Sequence, residues 1–139
     1  MDESLSNVIV KSQLKREDRE IYIEKFVQNW MDLLEKANEE KTLTNFEQAN
    51  SHIFCKELLS GAFGLVFGKD FQVEKNINNK RADCIVPSKL IIEMKSPKKD
   101  LTVAYKQAKK FYWDPLPEDR KPRFIITCDF QNFQVYDLN

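Results

Sequence analysis

Histidine occurs once in this 139-residue chain, at His52. It sits mid-helix beside Ile53, and no histidine-based mechanism follows from it. Cysteine is also scarce. Cys55, Cys84 and Cys128 are odd in number and widely spaced. They fit neither a disulfide framework nor a zinc knuckle, and read as reduced, partly buried thiols of a cytoplasmic protein. There is no excess of basic charge: Lys and Arg number 22, Asp and Glu number 22. A nucleic-acid binder often carries a basic surplus, so composition argues against a large nucleic-acid footprint. Local patches remain, one of Lys95, Lys98 and Lys99, another of Lys106, Lys109 and Lys110. No apolar run approaches the roughly 18 residues of a membrane span. The opening MDESLSNVIV has no basic region ahead of an apolar stretch, so it does not read as a secretory signal. Internal repeats and low-complexity tracts are absent.

What the chain does have is ordinary globular composition, 42% hydrophobic and 32% charged, at the length of one domain. Its ten phenylalanines imply either aromatic packing in the core or a partly exposed apolar face. Residues 1–18 read as a polar arm or lead-in with one short apolar run at 8–10, and residues 19–139 as a single domain. Ile23, Phe26, Val27, Trp30, Leu33, Leu34 and Ala37 recur at spacings of three and four, which predicts a helix over about 18–37. A second helix is expected over about 45–59, capped by Thr44 or Asn45. Thr44 and Glu47 satisfy the capping-box spacing. Gly61 and Gly64 end it or mark a tight corner.

The period then changes. Residues 65–67 and 71–73 are short extended candidates, and 76–80 is turn-like. Residues 81–86 and 89–95 read as strands joined at Pro87-Ser88, a hairpin. A helix starting at Asp100 or Thr102 runs to about Phe111 on Val103, Ala104, Gln107, Ala108 and Phe111. The proline-rich DPLPEDRKP stops it. Strands at 124–128 and 133–136 follow. The fold class is α/β, a mixed central sheet flanked by helices.

The residues with chemistry lie on the hairpin. Side chains alternate along a strand, so Leu90, Ile92 and Met94 face one way, and Ile91, Glu93 and Lys95 the other. Glu93 and Lys95 then lie on one face, about 6–7 Å apart. If the hairpin pairs around Pro87-Ser88, Asp83 comes close to Glu93. Two carboxylates suit Mg²⁺, with Mn²⁺ able to substitute, because they leave part of its shell to water and phosphate. A neighbouring amine can orient the water or offset charge in the transition state. Asp83 and Glu93 are therefore the expected metal ligands, with the Met94 backbone carbonyl as a further one, and Lys95 is assigned to water and phosphate. The spacing alone equally fits a solvated strand end with an ion pair.

The stretches RADCIVPSKLIIEMKSPKKDLTVAYKQAKKFY and PRFIITCDFQNFQVYDL, between residues 81 and 138, resemble the N-terminal nuclease domain of MmeI-like type IIG/IIL restriction–modification enzymes. The resemblance implies a restriction-endonuclease-like PD-(D/E)xK core. It gives Asp83 the first acidic position, Glu93 and Lys95 the E-x-K, and Gln107 the helix glutamine that faces such sites. Arg81 falls where a basic residue commonly precedes the aspartate. Asp129 and Phe130 match a structural strand–turn–strand ending. Glu47 matches a helical glutamate able to join the metal, with Glu57 as a rival. Lys98 and Lys99, with Arg81, are candidate DNA contacts.

The resemblance also implies DNA as partner, and methyltransferase and target-recognition domains in cis or in trans. Neither an Asn-Pro-Pro-Tyr-type motif nor a glycine loop for S-adenosylmethionine occurs in this chain. A transient homodimer would serve double-strand cleavage. The expected function is a metal-dependent DNA endonuclease domain of a defence system. Two alternatives stay open: a non-catalytic DNA- or protein-binding module, and a repair or RNA nuclease.

Overall fold

In the computed structural model, residues 16–77 and 79–139 are described. Most of the expected lead-in thus lies outside the described residues, and its last three positions already belong to a helix. Helix α1 spans Arg16–Glu39. A short 3₁₀ turn, Leu43–Asn45, leads into α2, Phe46–Glu57, which continues through a wider turn, Leu58–Ala62. Strands β1 (Gln72–Ile77), β2 (Lys80–Val86) and β3 (Leu90–Met94) follow. Helix α3, Leu101–Ala108, widens over Lys109–Trp113. It carries the chain to β4 (Phe124–Cys128) and β5 (Phe133–Asp137).

The five strands lie in sequence order. β1–β2, β2–β3 and β4–β5 pair antiparallel, while β3 and β4 run parallel. A parallel pair needs a crossover connection, and α3 is that connection. α1 and α2 cover one face of the sheet and α3 the other, giving three layers. The expected mixed α/β architecture is present, and no described helix is long and apolar enough to cross a membrane.

The larger core lies under α1 and α2. Phe26, Trp30 and Leu34 of α1 meet Phe46 and Phe54 of α2, with Leu90, Ile92 and Met94 from the sheet. Its centre is aromatic: Trp30 and Phe54 lie 5.1 Å apart, and Phe130 packs edge-on against Phe46 at 4.7 Å and Phe54 at 5.1 Å. Phe130 has a left-handed backbone, φ 74°, uncommon for a side chain of this size. Burial of its ring in this cluster offsets that strain. The second core holds Ile85, Ile91 and Ile125 of the sheet against Ala108 and Tyr112.

Several expectations are corrected. Ile23, Val27 and Leu33 of the α1 stripe are exposed, and so is Val103 of α3. The inner face of α3 is Leu101, Ala104 and Ala108 instead. Asp100, one of the two expected starts, caps this helix by accepting from the Thr102 N–H at 2.8 Å. The capping box at Thr44 and Glu47 does not form, and Asn45 caps α2 with no side-chain hydrogen bond. The 3₁₀ turn already leads the backbone into the helix, and Glu47 is drawn elsewhere. Residues 65–67 form no strand; Phe67 makes only an isolated bridge to Phe71. The phenylalanines serve both expected ends: most are buried, while Phe67 and Phe133 are exposed.

The corner after α2 is tight. Tyr22 Oη donates to the Glu57 carbonyl at 2.7 Å, laying its ring where a Cβ on Gly61 would fall. Gly64 closes the corner with φ 70°. Gly61→Ala is expected to destabilise the chain by about 1–3 kcal/mol through overpacking. Adding Tyr22→Leu should recover part of that loss in urea denaturation. Additive losses in the double variant would show that the ring is not the obstacle.

Candidate active site

The hairpin brings its two acids together by interrupting its own ladder. β2 and β3 pair through Val86↔Leu90, Ile85↔Ile91 and Cys84↔Ile92. The next pair would set Asp83 directly against Glu93. That pair is not made. The Asp83 carboxylate instead accepts the Met94 N–H at 2.7 Å through Oδ2. β1 pairs Val73↔Cys84 and then Lys75↔Ala82, again skipping Asp83. The skipped partner is Glu74, with a left-handed φ of 52°. Ala82 packs in the α3 layer and Cys84 in the α1–α2 layer. Residues two apart on a regular strand share a face, so β2 turns over at Asp83.

Glu93 is buried and within hydrogen-bonding reach of Asp83. Desolvation, then the hydrogen bond and charge of Asp83, push its carboxyl up to about 10, against the opposing pull of Lys95. In the metal-free protein Glu93 is therefore held towards its protonated form near neutral pH. Lys95, half-buried, lowers the pKa of both Glu93 and Glu47. Its own backbone N–H is tied to the Cys128 carbonyl at 2.8 Å.

Glu47 joins from the other side of the sheet. Its Oε1 accepts from the Ser96 N–H at 3.1 Å, docking α2 onto the end of β3. Burial raises its pKa, Lys95 lowers it and Asp83 raises it again. The rival, Glu57, is directed elsewhere: it borders a hollow with Asn29, Trp30 and Lys36 of α1. Between α2 and the first hairpin opens a cleft of about 440 Å³, lined by Glu47, Gln48, Ser51, His52, Glu74, Arg81 and Asp83. Arg81 and His52 are thus brought to the site. Lys99 is near enough to lower Glu47. Lys98 is not brought there; it borders a separate cleft with Gln28, Met31 and Asp32 of α1. Gln107 is half-buried on α3, and no hydrogen bond joins it to the acids.

Two neighbours escaped the sequence reading. Tyr112 donates from its hydroxyl to the Arg81 carbonyl at 2.7 Å. Burial first, then Glu93 and Asp83, push it to about 12. Thr127 lies beside Glu93 in the parallel register; it is fully buried and its hydroxyl has no hydrogen-bond partner among the described residues. The only sequence signal for either was position: one turn past the α3 stripe, and mid-strand in an apolar run.

Among the described residues no three His, Cys, Asp or Glu side chains converge into a ready cation cage. The donor set still fits a hard divalent ion. Two touching carboxylates repel unless a proton or a cation lies between them. An unpartnered hydroxyl stands alongside, and open cleft leaves room for water and phosphate in the remaining positions.

A match to the family described as MmeI, N-terminal domain, covers residues 19–139. The chain belongs to the MmeI N-terminal domain family. No curated protein and no solved structure matches the chain. In this chain Glu93 at the end of β3 and Asp83 of β2 lie side by side, with Lys95 next to them.

The raised Glu93 pKa sets a pH dependence. Unfolding releases this carboxyl to its ordinary value of 4.5, so the unfolded chain binds fewer protons above that pH. The contribution to stability is complete below about 4.5 and is lost progressively as pH rises towards about 10. In EDTA the chain should be less stable to urea at pH 8 than at pH 5. Glu93→Gln should flatten that slope. An unchanged slope in the variant would place the titrating group elsewhere.

Proposed function

We propose that this MmeI-type domain is the metal-dependent DNA endonuclease part of a restriction–modification system, built on a PD-(D/E)xK core. One observation carries the reading: the touching carboxylates of Asp83 and Glu93 beside Lys95, where a hairpin ladder stops next to an open cleft. A structural ion pair does not account for a buried Glu93 carboxylate set beside that of half-buried Asp83, because such a pair costs stability. The order of hairpin, α3 crossover and parallel β4 agrees with the proposed core. Family membership supports the restriction–modification setting, with methyltransferase and target-recognition domains in cis or in trans.

Asp83 and Glu93 would hold Mg²⁺ or Mn²⁺, with the Met94 carbonyl as a further ligand and Glu47 within reach from α2. When bound, such an ion acidifies a water and draws charge from the phosphate oxygens. Lys95 orients the attacking water and offsets negative charge as the water oxygen bonds to phosphorus and one P–O ester bond breaks. Gln107 of α3 would act on water at that side of the acids. Arg81 and Lys99 face the phosphates flanking the cut. Glu47, through Ser96, holds the end of β3 in register with α2. Sequence choice requires base contacts, and these belong to the recognition domain.

Asp83→Ala, Glu93→Ala and Lys95→Ala are each expected to lower the rate of cleavage of a DNA duplex by on the order of 10²-fold or more. Circular dichroism should show the fold retained. Calorimetric titration with Mg²⁺ should lose its signal in the two acid variants and keep it in Lys95→Ala. Normal cleavage by all three variants would overturn the nuclease reading. DNA binding indifferent to metal and to all three would identify a binding module instead.

A further inference from the structure

We propose that Lys80 and Lys110, gathered round the ring of Phe111, form a DNA-backbone site at the start of β2, the strand that carries Asp83. The ligand rests on the nuclease reading; the site itself rests on separate residues. Lys80 begins β2, and Lys110 and Phe111 lie where α3 widens. The Lys80 Nζ stands 4.6 Å from the Phe111 ring centroid and the Lys110 Nζ 5.5 Å. Two like charges on one ring repel each other. Neither has a carboxylate partner among the described residues.

Their neighbours are different. Lys109 pairs with Asp114 at 2.9 Å, Lys121 approaches Glu118 at 3.6 Å and reaches the Leu116 carbonyl, and Arg123 pairs with Asp137 at 3.0 Å. Lys109, Lys121 and Arg123 are thus matched to local acceptors, while the two lysines on Phe111 share one ring. In a chain of zero net charge, this is a local surplus with the anion missing. Lysines of this kind bind phosphate as point charges.

The site is also tied to the catalytic strand. Tyr112, next to Phe111, donates to the Arg81 carbonyl, and Arg81 lines the cleft with Asp83. Lys80 and Arg81 are consecutive on β2, Lys80 on the side of Phe111 and Arg81 at the cleft with Asp83. Lys80 and Asp83 are three residues apart, about 10 Å along the strand, equal to the axial rise of about three nucleotide steps in a duplex. A strand whose scissile phosphate lies at Asp83 would therefore present a later phosphate to the Phe111 cluster. Such a contact positions the backbone and reads no sequence.

The test is fluorescence anisotropy of a labelled DNA duplex with the whole chain in EDTA, over a range of salt. Lys80→Gln/Lys110→Gln should weaken binding and reduce the slope of log affinity against log salt by about 2, near 0.9 per lost phosphate contact. Lys25→Gln/Lys36→Gln removes the same charge from exposed positions of α1 and should leave the slope unchanged. Both lysine pairs are exposed, and urea denaturation checks that both variants fold. An unchanged slope in the Phe111 pair, or an equal fall in the control pair, would overturn the site. Calorimetric Mg²⁺ titration of Lys80→Gln/Lys110→Gln should match the parent chain. Failure of the nuclease reading would appear in the Asp83 and Glu93 variants and leave this salt slope intact.

Discussion

The hydrogen bond from the Met94 N–H to Asp83 Oδ2, at 2.7 Å, is the interaction around which the site is arranged. A regular antiparallel ladder would set Asp83 against Glu93 and leave two acids facing each other along a sheet. By accepting a backbone donor one residue further on, Asp83 ends the ladder and brings its carboxylate alongside Glu93. The strand turns over at the same point, so that Ala82 and Cys84 enter different layers. β1 also skips the residue, and the gap becomes one wall of the cleft. The acid pair, the open edge and the change of layer are one local arrangement.

That arrangement costs stability, and the rest of the fold must hold it. Burial and mutual repulsion oppose ionisation of Glu93. The opposing weight lies in the aromatic core beneath α1 and α2, where Trp30, Phe54 and Phe130 interlock. Asp129 secures the turn that presents Phe130, accepting the Gln131 and Asn132 N–H groups through Oδ1. α2 serves both ends: Phe46 and Phe54 enter the core, while Glu47 grips Ser96 and His52 borders the cleft. Stability and site geometry are coupled through that one helix.

The zero net charge conceals a segregated surface. Acids gather at the end of β3. Two lysines without carboxylate partners among the described residues gather at Phe111, while Lys109 and Arg123 are matched locally. A domain covalently or transiently joined to a DNA-reading partner needs only enough positive charge to hold the backbone near its acids. The composition that argued against a large DNA footprint is consistent with a small, placed one.

Periodicity in the sequence determined the helices, the hairpin at Pro87-Ser88 and the shared face of Glu93 and Lys95, because each depends on neighbours a few residues away. The E-x-K and its aspartate were legible for the same reason. Tertiary structure decided what depends on distant partners. Glu47 was selected over Glu57 because only Glu47 lies opposite the Ser96 N–H. The capping box gave way because that same carboxylate was taken. Val103 turned outward because packing against the sheet set the rotation of α3. Tyr112, Thr127 and the meeting of Lys80 with Lys110 carried no sequence signal beyond position, since a crossover of many residues brings them together. The acids of the site were written locally; the field and the cleft around them exist only once the layers close.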